Sequence, residues 1–333
     1  MEKVLVLGGS YFIGKKIVKV LLDNGYQVYT LNRGSRNPTD SRIQCLICDR
    51  DYENQMKEAL QGITFDYVID VSGLNREQSR ILVEALPKET LKKFVFISSS
   101  AVYDVEHYKA PFAERTPLAR NRYWRDYGQN KIEAEQYLRK VLLNGSTDLV
   151  ILRPPYVYGE DNYAQRESFI FDHIVREIPI LIPNDGSTYL QFIYTSDLAR
   201  CIVKLLQSET QSEVILNVGN EQALTIKEWI RCCEQVAGKK AKVVSYDYIS
   251  GGREIREFFP FYDYDNVLDV SRYKETFQEE TPFCMGLAEA YKWYQANKEE
   301  IRFKESVAEN EAKIRKELWR GKQEVRKNEE YRY

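Results

Sequence analysis

An α/β protein with a doubly wound parallel sheet is predicted by three observations. Short apolar runs alternate with helical patterns, a glycine turn joins the first run to the first helix, and 333 residues hold one large domain with an appendage or two ordinary domains. Hydrophobic residues make up 43% of the chain and charged residues 29%, which excludes a chain disordered throughout. The 48 basic and 50 acidic residues nearly cancel, so binding to nucleic acid or an anionic membrane would need a local patch.

Taken in order, Val4 to Leu7 is a short apolar run closed by Gly8-Gly9, and Gly14 to Leu22 carries apolar residues at helical spacing until Asn24-Gly25 stops it. Further strands are expected at Val28 to Leu31, Ile43 to Ile47, Tyr67 to Val71, Phe94 to Ile97 and Asp148 to Leu152. Helices are expected at Asn54 to Leu60, Arg76 to Leu86 and Asp126 to Leu143. Continuous apolar strands between helices are the mark of a parallel sheet buried on both faces. Beyond Arg153-Pro154-Pro155 the texture changes to Pro and Gly punctuation, read as a smaller lobe over 161–295. Gln191 to Tyr194 and Val214 to Val218 look like strands returning to the sheet, and Ser196 to Gln207 and Thr225 to Ala237 like helices. The tail over 296–333 interleaves Lys and Arg with Glu, the pattern of a solvated, partly docked helix.

The turn Gly8-Gly-Ser-Tyr-Phe-Ile-Gly14 has glycine at the first and last positions of the G-x-x-G-x-x-G spacing, and Tyr11 at the middle one. Gly8 permits a tight turn, Gly14 permits close packing of helix on strand, and the helix N-terminus attracts a pyrophosphate. A Rossmann-type site over 1–160 is the functional reading, and a plain β-turn-α connection the bland one. The second strand ends at Leu31-Asn32-Arg33 without the carboxylate that would hold the ribose of NAD. Asn32 can reach a ribose hydroxyl, and Arg33, with Arg36, suits a 2′-phosphate, which favours NADP over NAD; solvated loop arginines are the competing reading. Asp49 offers a carboxylate to an adenine amino group, with Arg50 beside it, and the small residues of Val71-Ser72-Gly73 would let backbone approach the cofactor.

The fifth strand ends in Ser98-Ser99-Ser100, and 28 residues after Ser99 comes Tyr127-Gly-Gln-Asn-Lys131. Four-residue spacing puts Tyr127 and Lys131 on one helix face. An ammonium beside a phenol favours the phenolate, so the pair can shuttle a proton, and a strand-end serine can hold the oxygen that loses it. Each part occurs by chance; their order on a parallel sheet is the argument.

With these motifs the chain resembles the extended and atypical short-chain dehydrogenase/reductase family, NAD(P)-dependent epimerase/dehydratase branch, over roughly residues 1–295. The resemblance extends to Ser99-Ser-Ala-Val-Tyr103, Leu152-Arg-Pro-Pro-Tyr-Val-Tyr-Gly159 and Phe192-Ile-Tyr194 with Asp197, and is nearest to sugar-nucleotide epimerases and chloroplast stem-loop RNA-binding relatives. It implies Ser99 holding the reacting hydroxyl, Tyr127 as base, and Lys131 binding the nicotinamide ribose while lowering the tyrosine pKa. It also implies that Gly8, Ser10, Tyr11, Phe12, Ile13, Gly14, Asn32, Arg33, Asp49, Arg50, Val71, Ser72, Lys131, Pro154 and Val157 line an NAD or NADP site. The activity implied is that of an epimerase or oxidoreductase on a sugar or nucleotide-sugar hydroxyl; the alternative is a non-enzymatic NAD(P)-binding redox sensor or RNA-binding relative.

Two departures bear on the substrate. Ser100 and Ala101 follow Ser99 where the family's dehydratases place an acid pair, which disfavours dehydration, and Leu190 stands where many nucleotide-sugar members have a diphosphate-binding arginine. Arg166 or Arg253 could substitute, against the bland reading of surface ion pairs. Cys45 and Cys48 form a lone C-x-x-C in a strand-like run and read as buried thiols, and His107 and His173 read as structural, so no metal site is expected. The N-terminal apolar run is too short for a signal peptide, so a cytoplasmic protein is expected, with no membrane span, a small-molecule substrate and no nucleic acid partner. The resemblance also implies a homodimer through the Tyr127 helix, which offers Ile132, Tyr137, Leu138 and Val141.

Overall fold

The computed structural model describes residues 1–36, 38, 40–209 and 212–330, the last ten by their backbone alone. The alternation of apolar runs and helices yields β1 (Lys3–Leu7), α1 (Phe12–Asp23), β2 (Gln27–Asn32), β3 (Gln44–Ile47), α2 (Glu53–Leu60), β4 (Tyr67–Asp70), α3 (Arg76–Ala85), β5 (Lys93–Ile97), α4 (Arg125–Leu142), β6 (Asp148–Arg153) and β7 (Tyr156–Tyr158). The chain continues through α5 (Glu167–Val175), β8 (Ile180–Pro183), β9 (Tyr189–Leu190), β10 (Phe192–Tyr194), α6 (Thr195–Gln207), β11 (Glu213–Asn217), β12 (Leu224–Thr225), α7 (Ile226–Ala237) and β13 (Val243–Tyr246). Helices α8 (Ser271–Thr276), α9 (Phe283–Ala296) and α10 (Glu305–Glu330) complete it.

Two compact units result. The larger comprises Met1–Asn162, Tyr189–Leu224 and Asp265–Trp293. Its seven strands lie in the order β11-β6-β5-β4-β1-β2-β3, every neighbouring pair parallel. The order reverses between β1 and β4, which makes the sheet doubly wound and opens a crevice at the carboxyl ends of those two strands. Leu5, Leu7, Val68, Phe94, Phe96, Leu149 and Ile151 pack one sheet face against Leu82 of α3 and Leu138 and Leu142 of α4, all fully or almost fully buried. Ile132 is also buried, while Tyr137 and Val141 pack against that core. Burial on this scale contributes about 1.5–3 kcal/mol per large apolar side chain.

The smaller unit comprises Tyr163–Thr188, Thr225–Tyr264 and Tyr294–Tyr333. Within it β8 pairs in parallel with β13, and α5 packs on α7. Helix α7 starts on a capping box in which Thr225 and Glu228 satisfy each other's backbone, and it ends at left-handed Gly238. The tail does not run as helix from Lys298. A single 3₁₀ turn at Lys298–Glu300 precedes α10, which buries Val307, Glu311 and Ile314. None of the described helices is long and apolar enough to cross a membrane.

Candidate active site

At the switch point, β1 runs into Gly8, whose φ of 84° lies in the left-handed region. A Cβ on Gly8 would sit 2.8 Å from that of Ser72, so the turns after β1 and β4 touch. A Cβ on Gly14 would land on the carbonyl oxygen of Gly8, so only glycine lets α1 start this close to the strand. The helix has no side-chain cap at Tyr11 and no acidic residue in its first turn. Its first amide groups thus keep their partial positive charge. Ser10 Oγ is buried here without a hydrogen-bond partner among the described residues, and Phe12 holds a φ of 37°. An unfilled donor, uncapped amides and a glycine cradle fit a pyrophosphate.

The residues after β2 and β3 are more committed. Asn32 Oδ1 accepts the Gly34 amide at 2.7 Å and Nδ2 lies 3.3 Å from Cys45 Sγ, so the side chain is spent on its own turn. Arg33 is exposed, and Arg36 stacks over the Tyr11 ring at 5.2 Å. Asp49 Oδ1 accepts the Asp51 amide. Arg50 turns inward, its two terminal nitrogens each 2.8 Å from one oxygen of Asp70 and Nη1 2.7 Å from Ser72 Oγ. Burial works against the Arg50 charge, but Asp70 outweighs it and holds the guanidinium protonated more firmly than usual. Cys48 is buried, with its thiol pushed up to about 11, first by that burial.

After β5, Ser99 caps a 3₁₀ turn at Ser100–Val102, its Oγ accepting the Ala101 amide at 3.2 Å. Helix α4 presses on that turn, and a Cβ on Gly128 would meet the Ala101 carbonyl oxygen at 2.5 Å. Buried Asn121 fastens the junction. Its Nδ2 donates to the carbonyls of Ala101 and Tyr103, while Oδ1 accepts the Trp124 amide ahead of the helix. Tyr127 is 39% exposed, its ring 5.8 Å from that of Trp124. Trp124 in turn faces Tyr156 at 6.3 Å, so aromatic rings extend away from the candidate base.

Lys131 is 3% exposed, and its Nζ donates to the carbonyl of Gly73 at 2.5 Å and to that of Ile97 at 2.7 Å, below the Phe96 ring. Burial pulls its pKa down to about 8, with Asp70 and Glu135 opposing and Arg50 assisting. One turn further along α4, Glu135 accepts from Ser98 Oγ at 2.5 Å and pairs with Arg153. Pro154 gives its carbonyl to the Ser100 amide, and Val157 lies in β7, parallel to β10.

The fold thus gathers Gly8, Ser10, Gly14, Val71 and Ser72 at one crevice, and joins Ser99, Tyr127 and Lys131 through the turn after β5. Asn121, Asp70 and Glu135 escape sequence reading; only Glu135, four residues after Lys131 on the same helix face, carried a local signal. Among the residues weighed for a diphosphate, Leu190 is fully buried and Arg253 forms an ion pair with Glu317 at 3.0 Å.

A doubly wound sheet with a glycine turn at its switch point and Tyr-x-x-x-Lys beside the next strand ends defines a dinucleotide-fold protein of the dehydrogenase type. The chain belongs to the NAD dependent epimerase/dehydratase family, whose model matches residues 4–219. It is 27% identical over 311 residues to the chloroplast stem-loop binding protein of 41 kDa b of Arabidopsis thaliana, covering 87% of this chain and 78% of that one. Its fold is that of UDP-glucose 4-epimerase of Thermotoga maritima, solved with UDP-glucose, at a TM-score of 0.75 and 19% identity over 89% of this chain and 99% of that one. The Thermus thermophilus UDP-glucose 4-epimerase, solved with NAD, matches at a TM-score of 0.70 and 19% identity over 88% of this chain and 99% of that one.

Proposed function

We propose that the chain is an NAD(P)-dependent epimerase or oxidoreductase acting on a hydroxyl group of a sugar or nucleotide sugar. The observation that carries the reading is the buried Lys131 ammonium at the ends of β4 and β5, one turn from Tyr127 on a helix pressed against the Ser99 turn. Family membership and the NAD in the Thermus structure support it. A bound nicotinamide would supply the hydride acceptor and donor. Gly8, Ser10, Gly14 and Ser72 would hold its pyrophosphate end, and the lack of a carboxylate after β2, with Arg33 and Arg36 nearby, favours NADP over NAD. Ser99 orients the substrate oxygen, Tyr127 takes the hydroxyl proton, and the Lys131 charge favours the phenolate.

The turn that carries Ser99 continues with Ser100 and Ala101 and offers no acid for expelling water, which disfavours dehydration. Leu190 brings no charge to a substrate diphosphate, which leaves the nucleotide part of the substrate less determined than the hydroxyl chemistry. Six free cysteines suit a reducing compartment, and we place the protein in the cytoplasm.

A mass-spectrometric inventory of small molecules that co-purify tests cofactor and substrate class together, and Tyr127→Phe tests the mechanism. NAD(P) retained by both proteins, with turnover lost in the variant, is expected; undiminished turnover in Tyr127→Phe overturns the proposed mechanism, and a preparation without NAD(P) or turnover overturns the enzymatic reading.

One observation favours a second, non-enzymatic reading as an RNA-binding or redox-sensing protein, namely the similarity to the chloroplast stem-loop binding protein. Lys313, Lys316 and Arg320 are exposed on α10, and the side chains of Lys322, Arg326 and Lys327 lie outside the described residues. Interspersed glutamates weaken a phosphate-binding face. RNA affinity that falls steeply with salt, and is lost with the tail, would favour this reading over the enzyme.

A further inference from the structure

Arg50 faces the interior, and its contacts run toward Lys131. One end of its guanidinium grips the fully buried Asp70 carboxylate with two bonds of 2.8 Å, and Nη1 also holds Ser72 Oγ at 2.7 Å. Asp70 is the last residue of β4, and Gly73 packs directly against its Oδ2. The carbonyl of that same Gly73 takes a hydrogen bond from Lys131 Nζ. The turn over 70–73 is therefore clamped from one side by Arg50 and from the other by Lys131. A bidentate, buried pair of this kind is far stiffer than a single-point contact.

We propose that the Arg50–Asp70 pair is a positioning device for Lys131: it fixes the turn after β4 whose Gly73 carbonyl receives the ammonium, and it places one balanced pair of charges beside that ammonium. The inference rests on the reading of Lys131 as part of the active site. Among the described residues, the charged groups that act on Lys131 are Asp70 from β4, Arg50 from the loop after β3, and Glu135 from α4 itself; it also lies against the Phe96 ring and donates to the carbonyls of Gly73 and Ile97. Glu135 is already balanced by Arg153. Asp70 is the larger of the two pair members in its effect on the ammonium, and Arg50 opposes it. Loss of the Asp70 charge alone leaves a permanent guanidinium facing the ammonium, which must then give up its proton more readily. A pair whose charges and turn did not act on Lys131 would leave its titration where it was.

The test follows that titration directly in the full chain, using lysine labelled with ¹³C at Cε and a Lys131→Met variant to assign the resonance. The wild-type midpoint is expected at about 8. Asp70→Asn should lower it by about one unit or more. Because that variant leaves Arg50 buried without its partner, the double variant Arg50→Met/Asp70→Leu is measured beside it. It strands no charge, and replacing a buried ion pair by apolar residues is commonly tolerated. Its midpoint should also fall, by less than in Asp70→Asn. A midpoint unmoved in the double variant overturns the proposal. The outcome is independent of turnover. A shifted midpoint in a protein whose Tyr127→Phe variant keeps full activity would support the pairing while rejecting Tyr127 as the base of the proposed mechanism.

Discussion

Glu135 and Arg153 form a two-point ion pair in the interior of the larger unit, with Nη2 2.5 Å from Oε2 and Nε 3.0 Å from Oε1. Both side chains are all but inaccessible to solvent. The pair is not isolated. Ser98 donates to Glu135, and Arg153 Nη1 also donates to the Tyr103 hydroxyl at 3.2 Å and the Glu114 carbonyl at 3.1 Å. Tyr103 donates in turn to Asn217 Oδ1 at 2.6 Å. One polar network therefore joins the ends of β5, β6 and β11 to the helix that carries Tyr127 and Lys131.

Removing one member of that pair should be costly, because it strands a charge that water cannot reach. Glu135→Ala is expected to lower stability by about 3–5 kcal/mol. The isosteric Glu135→Gln keeps hydrogen bonds and should cost less. Urea unfolding measures both, and equal losses would mean that the carboxylate charge, not packing or hydrogen bonding, holds this corner together.

Gly14→Ala tests the cradle. Its new methyl group meets the Gly8 carbonyl oxygen, which is backbone and cannot swing aside. Helix α1 must retreat from the strand, at a cost of about 1–3 kcal/mol. Affinity for NAD(P) should fall at least tenfold by titration calorimetry, and an alanine variant that binds as tightly as the parent would remove the turn from the proposed cofactor site.

The tail helix should owe its docking to a buried polar contact as much as to apolar burial. His173 Nε2 faces both oxygens of Glu311 at 3.0 and 3.2 Å, its Nδ1 lies 2.7 Å from the Phe169 carbonyl, and Ile314 is fully buried one turn on. Glu311→Ala leaves the imidazole without its partner, for about 1–3 kcal/mol, and Ile314→Ala opens a cavity for about 2–5 kcal/mol. Limited proteolysis should then cut α10 faster in both variants. Unchanged cleavage would show that the 305–316 segment is held by other contacts.

What the sequence made legible follows from the range of the physics involved. The glycine turn and Tyr127 with Lys131 are local patterns, set within a few residues by turn sterics and helix period, and they could be read directly. Arg50 reads in the sequence only as a neighbour of Asp49 at the cofactor site, because its partner Asp70 lies 20 residues away on another strand, and only the parallel register brings them together. Helix α5 escaped for a different reason. Glu167–Val175 is buried around nearly its whole circumference, so it shows no apolar stripe by which a helix is normally recognised. Asn121 precedes its helix by several residues and spends its amide on two carbonyls after β5, a contact that has no spacing rule.

Lys131 should also leave its mark on the stability of the whole protein. Its folded pKa is lowered to about 8 by burial, from an ordinary 10.5. Below pH 8 the lysine is charged in both states and the folded protein carries the full penalty of a buried ammonium. Between pH 8 and 10.5 the folded state is neutral here while the unfolded chain still binds the proton, so this group makes stability rise with pH. Above 10.5 the penalty is gone. Lys131→Met has no proton to lose, and its stability relative to the wild type should therefore be most favourable below pH 8 and decline steadily towards pH 10.5. The lost hydrogen bonds to Gly73 and Ile97 add only an offset that does not vary with pH. Urea unfolding of both proteins across this range isolates the slope of the difference, and two parallel curves would mean that Lys131 titrates in the folded protein as it does in the unfolded chain.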